Sequence, residues 1–485
     1  MKKRIVAATL IAAMMMGTMA TTAVQAEEMV TVSLYIPTLA NYSEDAIAQV
    51  QDAMNVLLAE KYGIQVDLQY TEIGNFEQVI NLAMTTDELD VTCFFTENGG
   101  LGKYVNNGQL LDITEMFANA TEEFKATFAE EEIIALTRNG GLWGVPRKYQ
   151  YGGKGVVVMN AAMVEEMGID PASIDSMDAL GEVLYQVKEK YPDIYPLVPQ
   201  SGSEMTWKAE WQASVGLTQF LYAEDFDATE AESLFELDSF AEFCGYTNKW
   251  YNDGLIMADA LSNTMEGTSL VSAGSAFAVL HNADIDPLEM FYPGTVSSAT
   301  IYEPGADPGN IGNLAYGIST NSAHPEESFT LLQAIYTDAE LATLLGFGIE
   351  GEHWAYDENG KAVYPEGITA ENEPYGGFTA SATYPNYLLF PVRATATTDD
   401  YVTTIAEWQA SLNLSEFMGY VFDTTEYTDF VTAYANLEEK YKDPLMTGSI
   451  ALEDVLPSIQ EELEAIGFYE IRDKAQAEID AFLAQ

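Results

Sequence analysis

The stretch VSLYIPTLANYSEDAIAQVQDAMNVLLAEKYGIQVDLQY, residues 32–70, carries two kinds of periodicity in succession. Val32-Ser33-Leu34-Tyr35-Ile36 reads as a strand. After Ser43, the apolar residues Ile47, Val50, Met54, Leu57 and Leu58 fall on one face of a helix, and Gly63 stops it. Ile64, Val66, Leu68 and Tyr70 then alternate as a second strand. Beyond it, Phe76, Val79, Ile80 and Ala83 make a second helical face, and Leu89–Phe95 a third strand. This βαβαβ order predicts a mostly parallel sheet with helices on both faces. Ligands of such sheets bind beyond the carboxyl ends of the strands, here 37–42, 71–75 and 96–100.

A second α/β block follows. Residues 142–160 read as two extended runs split by Gly152-Gly153. Met177, Leu180, Val183, Leu184 and Val187 define a helix, Tyr195–Pro199 a strand, Phe240–Tyr251 a helix, and Phe277–Leu280 a buried strand. The Pro/Gly-rich segment 303–309 leads to residues 314–347, LAYGISTNSAHPEESFTLLQAIYTDAELATLLGF. There a short strand, Leu314–Ser319, feeds a helix with Pro325 in its first turn and Glu326 and Glu327 at the positive end of its dipole. Phe329, Leu332, Ile335, Tyr336, Leu341, Leu344 and Leu345 extend this as one long amphipathic helix. Asn359-Gly360 between alternating runs signals a hairpin. The C-terminus reads as helical, with one face at Tyr427, Phe430, Val431, Tyr434 and Leu437 and another at Val455, Ile459, Leu463 and Ile466.

Residues 1–26 read as a secretion signal: Lys2, Lys3 and Arg4, an apolar run from Ile5 to Ala20, and Val24-Gln25-Ala26 as a small-residue cleavage pattern. The apolar run is short for a membrane span. The 485-residue chain is long enough for two cores. Its 48% hydrophobic content, with 28 Tyr and 22 Phe, excludes a disordered chain. The net charge of −56 argues against nucleic acid and anionic lipid as partners, since both need clustered Lys and Arg. Cys93 and Cys244 lie on apolar faces and are expected as buried free thiols, although a disulfide between them stays open.

Several passages resemble, in order, the family 1 extracellular solute-binding proteins, the ligand-capturing subunits of ABC importers. They are the βαβαβ start with Asn75-Phe76-Glu77-Gln78; Gly140-Gly141-Leu142-Trp143-Gly144-Val145-Pro146; Val157-Val158-Met159-Asn160 with Met163–Gly168; Ser275–Leu280; and residues 314–347. Tyr336-Thr337-Asp338, Gly348-Ile349-Glu350-Gly351-Glu352-His353-Trp354 and Tyr364-Pro365-Glu366-Gly367 resemble a subgroup common in Gram-positive bacteria. The resemblance implies a two-lobed α/β, periplasmic-binding-protein-like fold (type II-like) with a hinge cleft and a helical C-terminus. Lobe 1 is expected over 27–150 and 311–400, and lobe 2 over 151–310 and 401–485. It also implies a binding receptor rather than an enzyme, without cofactor or metal, monomeric, with a membrane permease and a small solute, foremost an oligosaccharide, as partners. Gram-positive members usually carry a lipoprotein Cys directly after the signal; here Ala23-Val24-Gln25-Ala26-Glu27 lacks it. An exported, extracellular or periplasmic protein is expected, with its anchoring open.

A sugar cleft needs aromatic platforms beside polar side chains. The candidates are Asn41, Tyr42, Glu97 and Asn98 at strand ends, Tyr149 and Tyr151 at the crossing, Trp207 and Trp211, His281 and Asp284 after the buried strand, and Trp354 near the hairpin. Each has a plainer alternative. Trp207 and Trp211 have the spacing of a helix-packing pair; Tyr149 and Tyr151 can pack the hinge; Asn41 and Asn98 can cap turns; His281 and Asp284 can cap a helix; Trp354 can cover an edge. Arg393 suits a structural ion pair better than a ligand. A cleft lined with carboxylates would instead favour peptides or polyamines. A secreted glycosidase needs two carboxylates flanking one bond, which spacing alone does not reveal in so acidic a chain. A Ca²⁺ site near Asp307 or Asp357 lacks a spaced ligand set.

Overall fold

The structure is a computed structural model. It describes residues 29–40, 42–86, 89–96, 100–206, 208, 220–283, 285, 292–306, 311, 313–376, 383–396 and 398–484. Ten strands build two five-stranded sheets: β1 (Val30–Thr38), β2 (Ile64–Glu72), β3 (Val91–Phe95), β4 (Val145–Pro146), β5 (Gly153–Asn160), β6 (Tyr195–Val198), β7 (Ala276–Ala283), β8 (Val296–Ala306), β9 (Leu314–Ile318) and β10 (Asn413–Leu414).

The first sheet has the order β2-β1-β3-β9-β4. β1 runs parallel to β2 and β3, while β9 is antiparallel to both β3 and β4. Val32, Leu34 and Ile36 have no exposed surface and share the first core with Val50, Met54 and Leu58 of helix Glu44–Lys61. Ser43 caps that helix by accepting the N–H of Ala46. Gly63, at φ +71, turns the chain into β2 in a conformation that costs other residues energy.

The long helix expected after Pro325 is two helices, Pro325–Thr337 and Ala339–Phe347. Asp338 separates them: its carboxylate accepts the N–H groups of Glu340 and Leu341 and starts the second helix. The apolar spacing nevertheless holds, because Phe329, Leu332, Ile335, Leu341 and Leu345 all enter the first core.

The second sheet has the order β10-β8-β5-β7-β6. Its core joins Val156–Met159, Phe277–Leu280 and helix Asp238–Asn252 to the C-terminal helices, through Phe430, Tyr434, Leu437, Ile459, Leu463 and Phe468. The first core draws on 32–145 and 314–405. The sequence reading groups helix Tyr401–Ser411 with the second lobe, yet Tyr401 and Ile405 pack into the first core. Both cysteines are buried and free, and burial pushes each thiol up to about 12. The hairpin at Asn359-Gly360 forms between Ala355–Tyr356 and Ala362–Val363.

Candidate functional site

Three segments cross between the sheets and meet at one place. Gly305 pairs with both Gly153 and Asn413, so the crossings run side by side. A Cβ added to Gly152, at φ +78, would lie 2.7 Å from Leu412 Cδ1 and 2.8 Å from the Gly305 carbonyl oxygen. Only a glycine lets the segments approach this closely.

The first crossing is held firmly on the side of the first lobe. Lys148 Nζ donates to both carboxylate oxygens of Glu132, at 2.7 and 2.6 Å, with both residues buried. The Lys148 N–H donates to Pro385 O, and its carbonyl accepts the N–H of Tyr387. Further along the crossing, the Trp408 indole, from helix Tyr401–Ser411, donates to the Tyr151 carbonyl at 2.9 Å.

The sequence-derived candidates distribute unevenly. Asn41, Glu97, Asn98, Trp207, Trp211 and Asp284 lie outside the described residues, as does Asp307. Tyr149 and Tyr151 sit at the crossing. The Tyr149 ring meets Tyr387 edge-on at 4.9 Å, and Arg147 lies 4.8 Å from its centroid. Tyr149 also lines a cavity of about 20 Å³ with Gln150, Tyr387, Tyr401 and Ile285, the last contributed by the loop after β7. The Tyr151 hydroxyl is held protonated by burial and by the nearby charges of Glu132 and Glu131. A contact outside the crossings also joins the halves, where the Asn106 amide donates to Asp423 at 2.9 Å.

Two expectations need correction. His281 does not follow the buried strand; it and its neighbour Asn282 are part of β7, paired with Val156 and Gly155. The strand continues because β5 supplies partners for both residues. Trp354 is 3% exposed, packs against Phe347 and Tyr356, and donates its indole N–H to Gly348 O at 3.1 Å. Its ring belongs to the first core. Arg393 donates to the Tyr387 hydroxyl at 3.1 Å, a structural role. Asp357 closes its hairpin by accepting the N–H groups of Asn359 and Lys361. Among the described residues no group of three His, Cys, Asp or Glu is placed to hold a metal.

Tyr42 leads to a feature that the sequence reading missed. Its ring stacks on Tyr70 at 4.8 Å and 12°, with Tyr375 edge-on at 4.9 Å. The Tyr42 and Tyr384 hydroxyls are 2.8 Å apart, and those of Tyr70 and Tyr375 are 2.6 Å apart. Burial, chiefly, pushes Tyr70 up to about 12 and Tyr42, Tyr375 and Tyr384 higher still, so all four hydroxyls stay protonated. Tyr42 and Tyr70 line a cavity of about 510 Å³ at the carboxyl ends of β1 and β2, with Thr38, Glu44, Glu72 and Ile73. The only sequence signal for Tyr70 is its position near the end of a strand. Tyr375 and Tyr384 gave none, because their partners are hundreds of residues away.

A family model described as "Bacterial extracellular solute-binding protein" matches residues 42–342. A second, described as "Domain of unknown function (DUF3502)", matches 416–484. The chain is 24% identical, over 449 residues, to a "Carbohydrate ABC transporter substrate-binding protein" of Streptococcus pneumoniae serotype 4 (strain ATCC BAA-334 / TIGR4), covering 88% of this chain and 87% of that one. The fold is similar to the crystal structure of the N-glycan transport solute binding protein (NgtS) from Streptococcus pneumoniae, with a TM-score of 0.78, 20% identity, and coverage of 94% and 99%. Against NgtS in complex with Man5GlcNAc the TM-score is 0.65, at 20% identity and coverage of 94% and 99%.

Proposed function

This chain belongs to the family of bacterial extracellular solute-binding proteins, and we propose that it captures an oligosaccharide between its two lobes and delivers it to the permease of an ABC importer. One observation carries the reading most directly. A large cavity lined by tyrosine rings and carboxylates opens beyond the carboxyl ends of the first sheet, where open α/β sheets bind ligands. Rings meet the C–H faces of sugars, and carboxylates accept their hydroxyls. The carbohydrate transporter subunit among its relatives supports the same solute class.

In this reading the lobes are 27–150 with 311–400 and 151–310 with the remainder, the helix Tyr401–Ser411 lying at their border. They close about the point where Gly152, Gly305 and Leu412 meet. The solute stabilises the closed form only by binding it more tightly than the open one. The chain is exported by residues 1–26 and acts as a monomer that binds without turnover; its relatives are named as binding proteins. No helix among the described residues is long and apolar enough to cross a membrane.

A thermal-shift screen of the mature protein against oligosaccharides, peptides and polyamines tests this. A cleft ligand at a hundredfold excess over its Kd raises stability by about 2.7 kcal/mol. An oligosaccharide that raises the Tm and is recovered uncleaved by chromatography is the expected result. A shift with peptides or polyamines alone removes the sugar reading, and cleavage of the sugar removes the receptor reading.

A further inference from the structure

The cavity beside Tyr42 and Tyr70 lies at one extreme of the first sheet. Of the order β2-β1-β3-β9-β4, it occupies the β2–β1 end. The crossing residues Tyr149 and Tyr151 follow β4 at the other end. Four strand spacings separate the two edges, about 19 Å. A single sugar ring cannot bridge that distance, but a short oligosaccharide can.

The chemistry of the cavity is divided. The tyrosine hydroxyls are used inward. Tyr375 donates its one proton to Leu345 O at 2.7 Å, so in its contact with Tyr70 it accepts and Tyr70 donates. What Tyr42 and Tyr70 offer the cavity is therefore ring surface, fixed by stacking and by these hydrogen bonds. The polar groups come from Glu44 and Glu72, both exposed, neither in an ion pair with a described side chain. Glu44 opens helix Glu44–Lys61 and Glu72 ends β2, so their backbones are set by regular structure. Leu39, 55% exposed, and Ile73 complete an apolar rim.

We propose that this cavity is a terminal subsite for the outermost sugar of an oligosaccharide whose other end lies at the crossing. One pyranose presents its C–H face to the tyrosine and leucine surface, and its hydroxyls donate to Glu72 and Glu44. The proposal rests on the oligosaccharide reading above and adds a length requirement to it: affinity rises with chain length until the edge subsite is filled.

The test is calorimetric titration of the mature protein with manno-oligosaccharides, from disaccharide to hexasaccharide. Wild-type protein, Glu72→Gln and the double variant Glu44→Gln/Glu72→Gln are compared; both carboxylates are exposed, so the variants should fold. The expected result is a loss of about tenfold in affinity for the longest ligands and none for the disaccharide, the size of a lost charge-assisted hydrogen bond. Equal losses at every length, or none at any length, would overturn the subsite while leaving the oligosaccharide reading intact. If no member of the series binds the wild-type protein and spermidine does, with binding lost in Glu72→Gln, both readings fall and the cavity is a cation site.

Discussion

Two aromatic groups in the first lobe contain similar residues and end in different roles. Tyr42 and Tyr70 stack at the carboxyl ends of β1 and β2 and line a cavity of about 510 Å³. Phe347 and Trp354 pack together in the first core, beside the buried His353, with Trp354 at 3% exposure. Tyr375 joins them. The His353 ring stacks on Tyr375 at 5.4 Å and 22°, and Tyr375 accepts the hydroxyl of Tyr70. One continuous set of rings thus runs from the core to the cavity. An aromatic residue near a loop becomes a binding surface only where its neighbours leave space beside it; Trp354, in a Gly-rich loop, has none.

Trp354→Ala tests that division most severely. Removing a buried indole should cost about 3–5 kcal/mol of stability, read as a lower midpoint in urea unfolding. Oligosaccharide affinity of the folded protein should stay as it was. A large loss of affinity without a loss of stability would place Trp354 in the site after all.

The next effect is smaller and concerns the link. Tyr375→Phe keeps the ring but removes one acceptor and one donor, leaving Leu345 O and the Tyr70 hydroxyl without that partner. The expected cost is about 1–3 kcal/mol. Because Tyr70→Phe removes one of the same bonds, the two losses should add to more than the loss in the double variant. Strict additivity in a double-mutant cycle would mean that the core and the cavity are independent.

The frame of the first lobe was legible because local patterns and tertiary contacts agree there. Val32, Leu34 and Ile36 alternate, Gly63 stops the helix, and both signals match the packing. Residues whose role depends on distant partners were not legible. Asp338 interrupts an apolar period that continues on either side of it, so only its capping bonds reveal the break. His281 reads as the start of a loop until β5 is seen beside it. Tyr375 and Tyr384 sit in polar segments, and their meaning comes from hydroxyls of Tyr70 and Tyr42 more than 300 residues away. Six of the site candidates lie outside the described residues, whereas Tyr42 lines the cavity itself.

The smallest effect is a pH dependence that originates at His353. Its ring is buried, stacks on Tyr375, and accepts the N–H of Ile349 at Nδ1, 3.0 Å away. Burial holds its pKa below the ordinary histidine value of 6.5, opposed by the charge of Glu352. The unfolded chain therefore binds a proton at a higher pH than the folded one. Between those two pKa values the unfolded state carries more protons, so stability falls as pH is lowered through about 6.5. The contribution is fully present at neutral pH and above. Wild-type protein should lose a few degrees of Tm between pH 7.5 and pH 5 from this group, and His353→Gln should lose less over the same range. Because His353 contacts Tyr375 and not the cavity, oligosaccharide affinity should change little in that range. An affinity that followed the Tm down, and was restored in His353→Gln, would show that the cavity feels the charge state of the core through Tyr375.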